Sequence, residues 1–222
     1  MPAYLQSIEF ERQSRLDARE RPDPRAGILW EQALRKLPRV EDREKLSEAY
    51  DFALGIDYRH EGLSGDIYIA HPVRVAAMCL LSQDAPGADL GVLGLLHNIL
   101  EVSGISADTI SIKFGSNIAD QIQNLTIDRK QQWDASYKQN YYARLNAGPE
   151  ESRIVKIIDK LDNLFLLGLN PDANIRDKYL QEIETYVLPM AVRELPELAV
   201  YMKELVKNCY QEGYFQFKEK RA

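Results

Sequence analysis

The sequence predicts an all-α fold. Apolar residues recur every three to four positions through most of the chain, and no stretch alternates apolar and polar residues between turn signals, as a strand would. The 222 residues are 45% hydrophobic, which is enough to bury one core. We predict an N-terminal arm of short helices at residues 1–40 and a helical domain at 41–222.

The first 26 residues are polar, and the sequence Arg-Pro-Asp-Pro at 21–24 should break any helix there. Apolar spacing then predicts helices in order at 28–37, 42–56, 73–82, 90–102, 106–114, 117–125, 134–146, 150–167, 174–188 and 197–212. Pro72 suits a first helical turn, and Gly115 and Gly148 suit helix ends. The segment 90–102 is apolar on nearly all sides, which is typical of a central buried helix.

Composition excludes several classes of function. A net charge of −6 argues against a nucleic acid polymer as partner, because a phosphate backbone needs clustered basic residues. No run approaches the ~20 apolar residues of a membrane span, and the N-terminus lacks the apolar core of a secretory signal. Cys79 and Cys209 are too far apart to suggest a disulfide framework. We therefore expect a cytoplasmic protein, with a homo-oligomer left open.

Histidine is scarce, with three in the chain, yet His71 and His97 both stand in apolar helical contexts where an imidazole needs a partner. Taken alone, His97 has an ordinary interpretation as a core histidine bonded to a carbonyl, and His71 as a residue at a helix mouth. Glu101 follows His97 by one turn. An acid at that distance favours a metal centre in which Glu101 orients a water molecule.

The helix predicted at 150–167 carries Asp159 on a second apolar face, with Asn163 one turn later. A carboxylate between apolar residues is unfavourable unless a cation neutralises it. A salt bridge to Lys156 or Lys160 is the alternative, but an exposed pair would not need apolar flanks. Two imidazoles, a carboxylate and an amide oxygen suit a divalent transition metal rather than calcium.

Four motifs occur in a fixed order: SGDIYIAHP at 64–72, GLLHNILEV at 94–102, FG at 114–115 and VKIIDKLDN at 155–163. Together they resemble the HD-domain superfamily. More narrowly, they are similar to the hydrolase domain of Rel/Spo-type alarmone enzymes and to the stand-alone small alarmone hydrolases. The resemblance covers roughly residues 45 to 190, and it implies an HD-domain-like helical bundle.

The resemblance implies that His71, His97 and Asp159 bind a metal, most often manganese. It implies that Glu101 activates or positions the attacking water and that Asn163 lies near the nucleotide. The implied reaction removes the 3′-pyrophosphate of ppGpp and leaves GDP and pyrophosphate. We expect further nucleotide contacts from basic and aromatic side chains outside the motifs or beside them: Arg59, Lys138, Tyr142 and Lys156.

Two residues depart from the family pattern. Asn98 replaces the aspartate of the HD pair, and Val102 replaces the second acid of the acidic pair. We still count Asn98 among the metal ligands and catalytic residues, but a neutral amide should bind a divalent ion more weakly while leaving the water more polarised.

Three hypotheses follow. The leading one is a metal-dependent phosphohydrolase that acts on a small nucleotide such as ppGpp. The second is a catalytically impaired module that binds a nucleotide or a protein partner, which Asn98 and Val102 favour. The third is an HD-type enzyme with a different phosphoester substrate.

Overall fold

A computed structural model describes residues 2–17, 25–59 and 64–219, and within these ranges every regular element is helical. The elements are α1 (Ala3–Asp17), α2 (Arg25–Leu34), α3 (Val40–Leu54), α4 (Gly65–Tyr68), α5 (Ala70–Leu81), α6 (Ala88–Leu96), α7 (Ile99–Val102), α8 (Ala107–Phe114), α9 (Ser116–Leu125), α10 (Ala135–Ala147), α11 (Glu150–Leu167), α12 (Ala173–Glu182), a π-helical turn (Ile183–Val187), α13 (Leu188–Glu194) and α14 (Pro196–Glu219). The all-α prediction is confirmed.

The centre of the fold is the pair α5 and α6. Residues 72–81 of α5 and, except for Asp89, residues 88–96 of α6 are buried, as their apolar sequences predict. The two helices approach closely at Gly94, where an added Cβ would lie 2.6 Å from Cα of Ala76. The first turn of α5 and the end of α6 therefore lie side by side, and the rings of His71 and His97 are 5.1 Å apart between centroids.

The remaining helices surround this pair. Helices α2 and α11 pack against α5, α3 packs against α6, and α9 contacts both α6 and α11. Helix α11 is buried on several faces, and it ends at Gly168 as predicted. On the far side of α11, α13 and α14 complete the bundle. The site is thus built where α5, α6 and α11 meet.

The described parts of residues 1–40 share this core. Leu5 and Ile8 of α1 and Leu29, Trp30 and Ala33 of α2 are buried in the same hydrophobic cluster as α5 and α11. The boundary at residue 40 stays a prediction, and the helix break expected at 21–24 lies outside the described residues.

The prediction of one continuous helix at 90–102 is wrong. Helix α6 ends at Leu96, and α7 begins at Ile99. Between them, Asn98 has φ −118° and ψ 9°, and the Glu101 amide donates to the Asn98 carbonyl over 2.9 Å, one residue shorter than an α-helical bond. Asparagine is a poor helix former, and apolar periodicity does not detect a break that leaves the buried side chains on the same side.

The helix predicted at 174–188 also changes geometry: α12 passes into the π-helical turn before α13 starts at Leu188. None of the described helices is both long and apolar enough to span a bilayer.

We expect Gly94→Ala to lower the free energy of unfolding by about 1–3 kcal/mol, because the new methyl group would overlap the backbone of Ala76. Urea denaturation measures this change. Gly27→Ala is the matched control: nothing lies within 4 Å of its added Cβ, and the position is within α2, so alanine should be neutral or slightly stabilising. Equal stability of the two variants would contradict the close packing of α5 on α6.

Candidate metal centre

Three donor atoms from three separate motifs converge at the centre of the bundle. His71 Nε2 lies 3.3 Å from His97 Nε2. Asp159 Oδ1 lies 3.5 Å from the first nitrogen and 3.6 Å from the second. Three atoms with these separations share a centre about 2 Å from each, which is a usual metal–ligand distance for nitrogen and oxygen donors. The group could hold a divalent metal ion.

In each ring the hydrogen bond of Nδ1, the nitrogen that faces away from the three converging atoms, determines which tautomer is present. His97 Nδ1 lies 2.8 Å from the Gly94 carbonyl, which can only accept, so Nδ1 carries a proton. His71 Nδ1 lies 2.7 Å from an Asp162 carboxylate oxygen, and it donates for the same reason. In the neutral rings both Nε2 lone pairs therefore point at each other and at a carboxylate oxygen. This arrangement is repulsive unless a proton or a cation lies between them.

Asp159, the acid among the three donors, also accepts hydrogen bonds from two other side chains. Lys156 donates to Asp159 Oδ2 over 3.0 Å, and Asn163 donates to Asp159 Oδ1 over 2.9 Å. The salt bridge to Lys156 and the candidate metal donor, which the sequence presented as alternatives, thus involve the two different oxygens of one carboxylate. Burial alone would raise the pKa of Asp159, but the charge of Lys156 and the proximity of the two histidines hold that pKa well below its usual range.

Burial alone would also lower the pKa of His71. Hydrogen bonds to Asp159 and Asp162, together with the charges of these acids, raise that pKa above its usual value instead. The metal-free ring therefore holds a proton more tightly than an ordinary histidine, and this proton competes with a metal for Nε2.

Asn98 lies beside the three donors on the wall of the same pocket. Its side-chain amide donates to the Tyr68 hydroxyl. Its Oδ1 is buried and has no hydrogen-bond partner among the residues that the structure describes. A buried amide oxygen without a partner is unfavourable, and a bound cation would satisfy it. The donor set therefore fits a divalent ion, while the role of Asn98 as a ligand stays a prediction.

Glu101 is positioned by the loop after α9. One carboxylate oxygen accepts the Ile127 amide over 3.0 Å, and the other pairs with Arg129 at 3.2 Å. Val102, which stands in place of a second acid, is buried with Tyr58 and Tyr68 in a small apolar cluster.

A pocket of about 310 Å³ opens over the three donors. Five cations and four acids line it: Arg15, Arg74, Arg129, Lys156 and Lys160, and Glu101, Asp159, Asp162 and Glu182. The chain as a whole is negative, whereas this wall carries one more formal cation than acid. A divalent ion would add two positive charges, so the loaded pocket would suit an anionic ligand.

The residues predicted to contact a nucleotide divide into two sets. Lys156 and Asn163 line the pocket, but Arg59, Lys138 and Tyr142 are not part of its wall. The Arg59 side chain is exposed and pairs with Asp57 at 3.3 Å. A basic side chain in a sequence does not reveal which way it points, and here it points to solvent.

Lys138 and Tyr142 point to a buried acid instead. Lys138 Nζ lies 2.8 Å from Glu182 Oε2, and the Tyr142 hydroxyl lies 2.7 Å from Oε1. Lys160 completes the group at 2.9 Å. Burial would raise the pKa of Glu182, but the charges of Lys160 and Lys138 and their hydrogen bonds lower it to about 2. The two predicted contacts thus support Glu182, which itself lines the pocket.

No protein-family model matches the chain. A guanosine-3′,5′-bis(diphosphate) 3′-pyrophosphohydrolase of Aquifex aeolicus is 27% identical over 176 residues, covering 78% of this chain and 24% of that protein. An enzyme of the same description from Mus musculus is 26% identical over 172 residues, covering 76% of this chain and 94% of the relative. The resemblance to Rel/Spo-type alarmone hydrolases is confirmed.

A solved structure of a metazoan ortholog of SpoT, described as hydrolysing ppGpp, superposes with a TM-score of 0.61 at 19% identity. It covers 80% of this chain and 98% of its own, and at that identity it shows the fold alone. The chain spans only 20% to 27% of the length of three bacterial relatives of the Rel/Spo type, but nearly all of the mouse relative.

Several polar pocket residues were missed as site residues by the sequence interpretation, among them Arg15, Tyr68, Arg74, Arg129, Asp162 and Glu182. Tyr68 and Arg74 each lie three positions from His71, and Asp162 lies three positions from Asp159, so a search for polar residues within three positions of a predicted ligand would have found them. Arg15 has no such signal, because it reaches the Asp162 carbonyl across 147 positions of chain.

We expect the purified protein to bind one Co²⁺ or Mn²⁺ ion and His97→Ala to lose that binding. The affinity should fall as the pH falls through the raised pKa of His71, by up to about tenfold per pH unit, since one proton competes for Nε2. Calorimetric titration at several pH values measures it. Unchanged binding in His97→Ala, or an affinity independent of pH, would show that the metal lies elsewhere.

Asn98→Asp should raise the metal affinity, because the variant adds a negative charge beside His97 and restores an anionic donor at a position where the amide oxygen has no partner. Calorimetry on the variant and the unchanged protein at one pH gives the ratio. An affinity unchanged by the substitution would mean that Asn98 is not a ligand.

Proposed function

We propose that the chain is a metal-dependent phosphohydrolase that removes the 3′-pyrophosphate from guanosine 3′,5′-bis(diphosphate). The observation that carries this proposal is the convergence of His71, His97 and Asp159 on one point in a pocket whose wall carries five cations and four acids. The relatives described as ppGpp hydrolases support the choice of substrate. A small nucleotide substrate of this kind would also support a cytoplasmic location. The free cysteines Cys79 and Cys209 fit a reducing compartment.

Under this proposal, His71, His97 and Asp159 hold the metal, Asn98 contributes its amide oxygen, and Mn²⁺ is the resident ion. A divalent ion at this position would supply Lewis-acid activation of a water molecule and of a phosphoryl oxygen. Lys156 and Asn163 would keep the Asp159 carboxylate oriented.

The cations of the pocket would bind the phosphates. Arg129 is the most available of them, because its side chain is 42% exposed and its pair with Glu101 is a partly solvated one. Lys156 and Lys160 are buried, and their charges are persistent: burial would lower the pKa of each, but neighbouring anions and phenols raise it. A pyrophosphate group could therefore take the place of the carboxylates with which Lys156 and Lys160 now form salt bridges, Asp159 and Glu182.

Glu101 is the proposed proton acceptor. The Ile127 amide fixes its carboxylate, and a phosphate that draws Arg129 away would free the second oxygen. The released oxygen could then accept a proton from the attacking water. Since Val102 cannot share the task, Glu101 would act alone.

A second candidate is a binding module with little or no turnover. Both oxygens of Glu101 are engaged, and Val102, at the position of the second acid, is buried among tyrosine rings and is not part of the pocket wall. These contacts favour retention of a nucleotide over its hydrolysis.

Release of pyrophosphate from ppGpp in the presence of Mn²⁺ separates the two candidates, with a panel of other phosphoesters measured in parallel. We expect turnover by the unchanged protein, a loss of about 10²–10⁴-fold in Glu101→Gln with metal binding retained, and no activity in His97→Ala. Binding of ppGpp without release of pyrophosphate would favour the binding module. Turnover of another phosphoester alone would overturn the choice of substrate.

A further inference from the structure

Asp162 is the most enclosed acid of the pocket, and it lies one turn beyond Asp159 on α11. Its side chain is 1% exposed. It lies 2.7 Å from His71 Nδ1, 2.8 Å from Arg74 Nε and 3.0 Å from an Arg15 guanidinium nitrogen. It is not one of the three converging donors, because its carboxylate contacts the far side of the His71 ring.

We propose that Asp162 is a positioning residue that fixes the tautomer and the direction of His71, so that the Nε2 lone pair points to the metal. This inference rests on the proposed function, since it concerns a ligand of the proposed metal.

The contacts of Asp162 determine which ring nitrogen of His71 carries the proton. A carboxylate held by two guanidinium groups remains ionised and can only accept hydrogen bonds. Nδ1 must therefore donate to Asp162, and Nε2 is left free to bind a metal.

The two histidines are oriented by different means. His97 donates to the Gly94 carbonyl of its own helix, so its orientation follows from local backbone geometry. His71 lies in the first turn of α5, and its only partner behind the ring belongs to α11 among the described residues. The arginines in turn tie Asp162 to α1 and α5. Asp162 thus connects three helices to one metal ligand, and metal-binding histidines are commonly supported in this way.

Asp162→Asn tests the inference. The amide keeps the shape of the side chain, but its nitrogen cannot accept from Nδ1, and its oxygen loses the charge. We expect Co²⁺ affinity, followed by the visible absorption of the bound ion, to fall by about 10- to 100-fold. Unchanged affinity in Asp162→Asn would overturn the proposal.

Glu194→Gln is the matched control. Glu194, a partly buried acid, also pairs with two arginines, Arg153 at 2.6 Å and Arg193 at 2.7 Å, but it does not line the pocket. We expect this variant to bind Co²⁺ like the unchanged protein. An equal loss of affinity in both variants would mean that Asp162 acts only through the stability of the bundle.

A measurement on the unchanged protein covers the case in which Asp162→Asn does not fold. Nitrogen-15 NMR of the histidine rings in Zn²⁺-loaded protein should show His71 protonated at Nδ1 and metal-bound at Nε2. The opposite tautomer would overturn the proposal while leaving the metal site intact. If the unchanged protein binds neither Co²⁺ nor Zn²⁺, the metal site itself fails, and the role of Asp162 fails with it.

Discussion

The site depends on one electrostatic constraint: two imidazole nitrogens and a carboxylate oxygen lie within 3.6 Å of one another in a mostly buried position. Electron pairs that face each other at such distances need a positive charge between them. In the metal-free protein a proton on His71 would supply it, and hydrogen bonds to Asp159 and Asp162 raise the pKa of that ring despite its burial. A divalent ion would satisfy all three donors at once, and it would replace that proton.

Close packing of α5 against α6 brings the two histidines together. Gly94 lets α6 approach the backbone of α5, and the break at Asn98 ends α6 next to the His71 ring. Helix α11 brings Asp159 to the front of the site and Asp162 to the back of it, three residues apart. The acids and cations of the pocket wall form salt bridges with one another. A bound phosphate would therefore exchange one salt-bridge partner for another, and no unpaired charge would need to be buried.

Much of this could be predicted from the sequence. Scarce histidines in apolar segments, and an acid on an apolar face of α11, indicated the three converging residues, because buried polar groups need partners. Most helix ends followed from Gly, Pro and apolar spacing. The break at Asn98 did not, since it leaves the buried pattern intact.

The support of the site was less predictable. Asp162 had the same local pattern as an ordinary helix acid, and Arg15 acts across 147 positions of chain. Lys138 and Tyr142 were predicted to face a nucleotide because of their types, yet both contact Glu182. The acid with which a basic side chain pairs depends on the tertiary structure, and it cannot be read from the neighbouring residues in the sequence.

Anomalous X-ray diffraction from crystals grown with Mn²⁺ would locate the metal directly. We expect a single strong peak between His71 Nε2, His97 Nε2 and Asp159 Oδ1. A pocket without such a peak at saturating Mn²⁺, with the three side chains still in place, would contradict it.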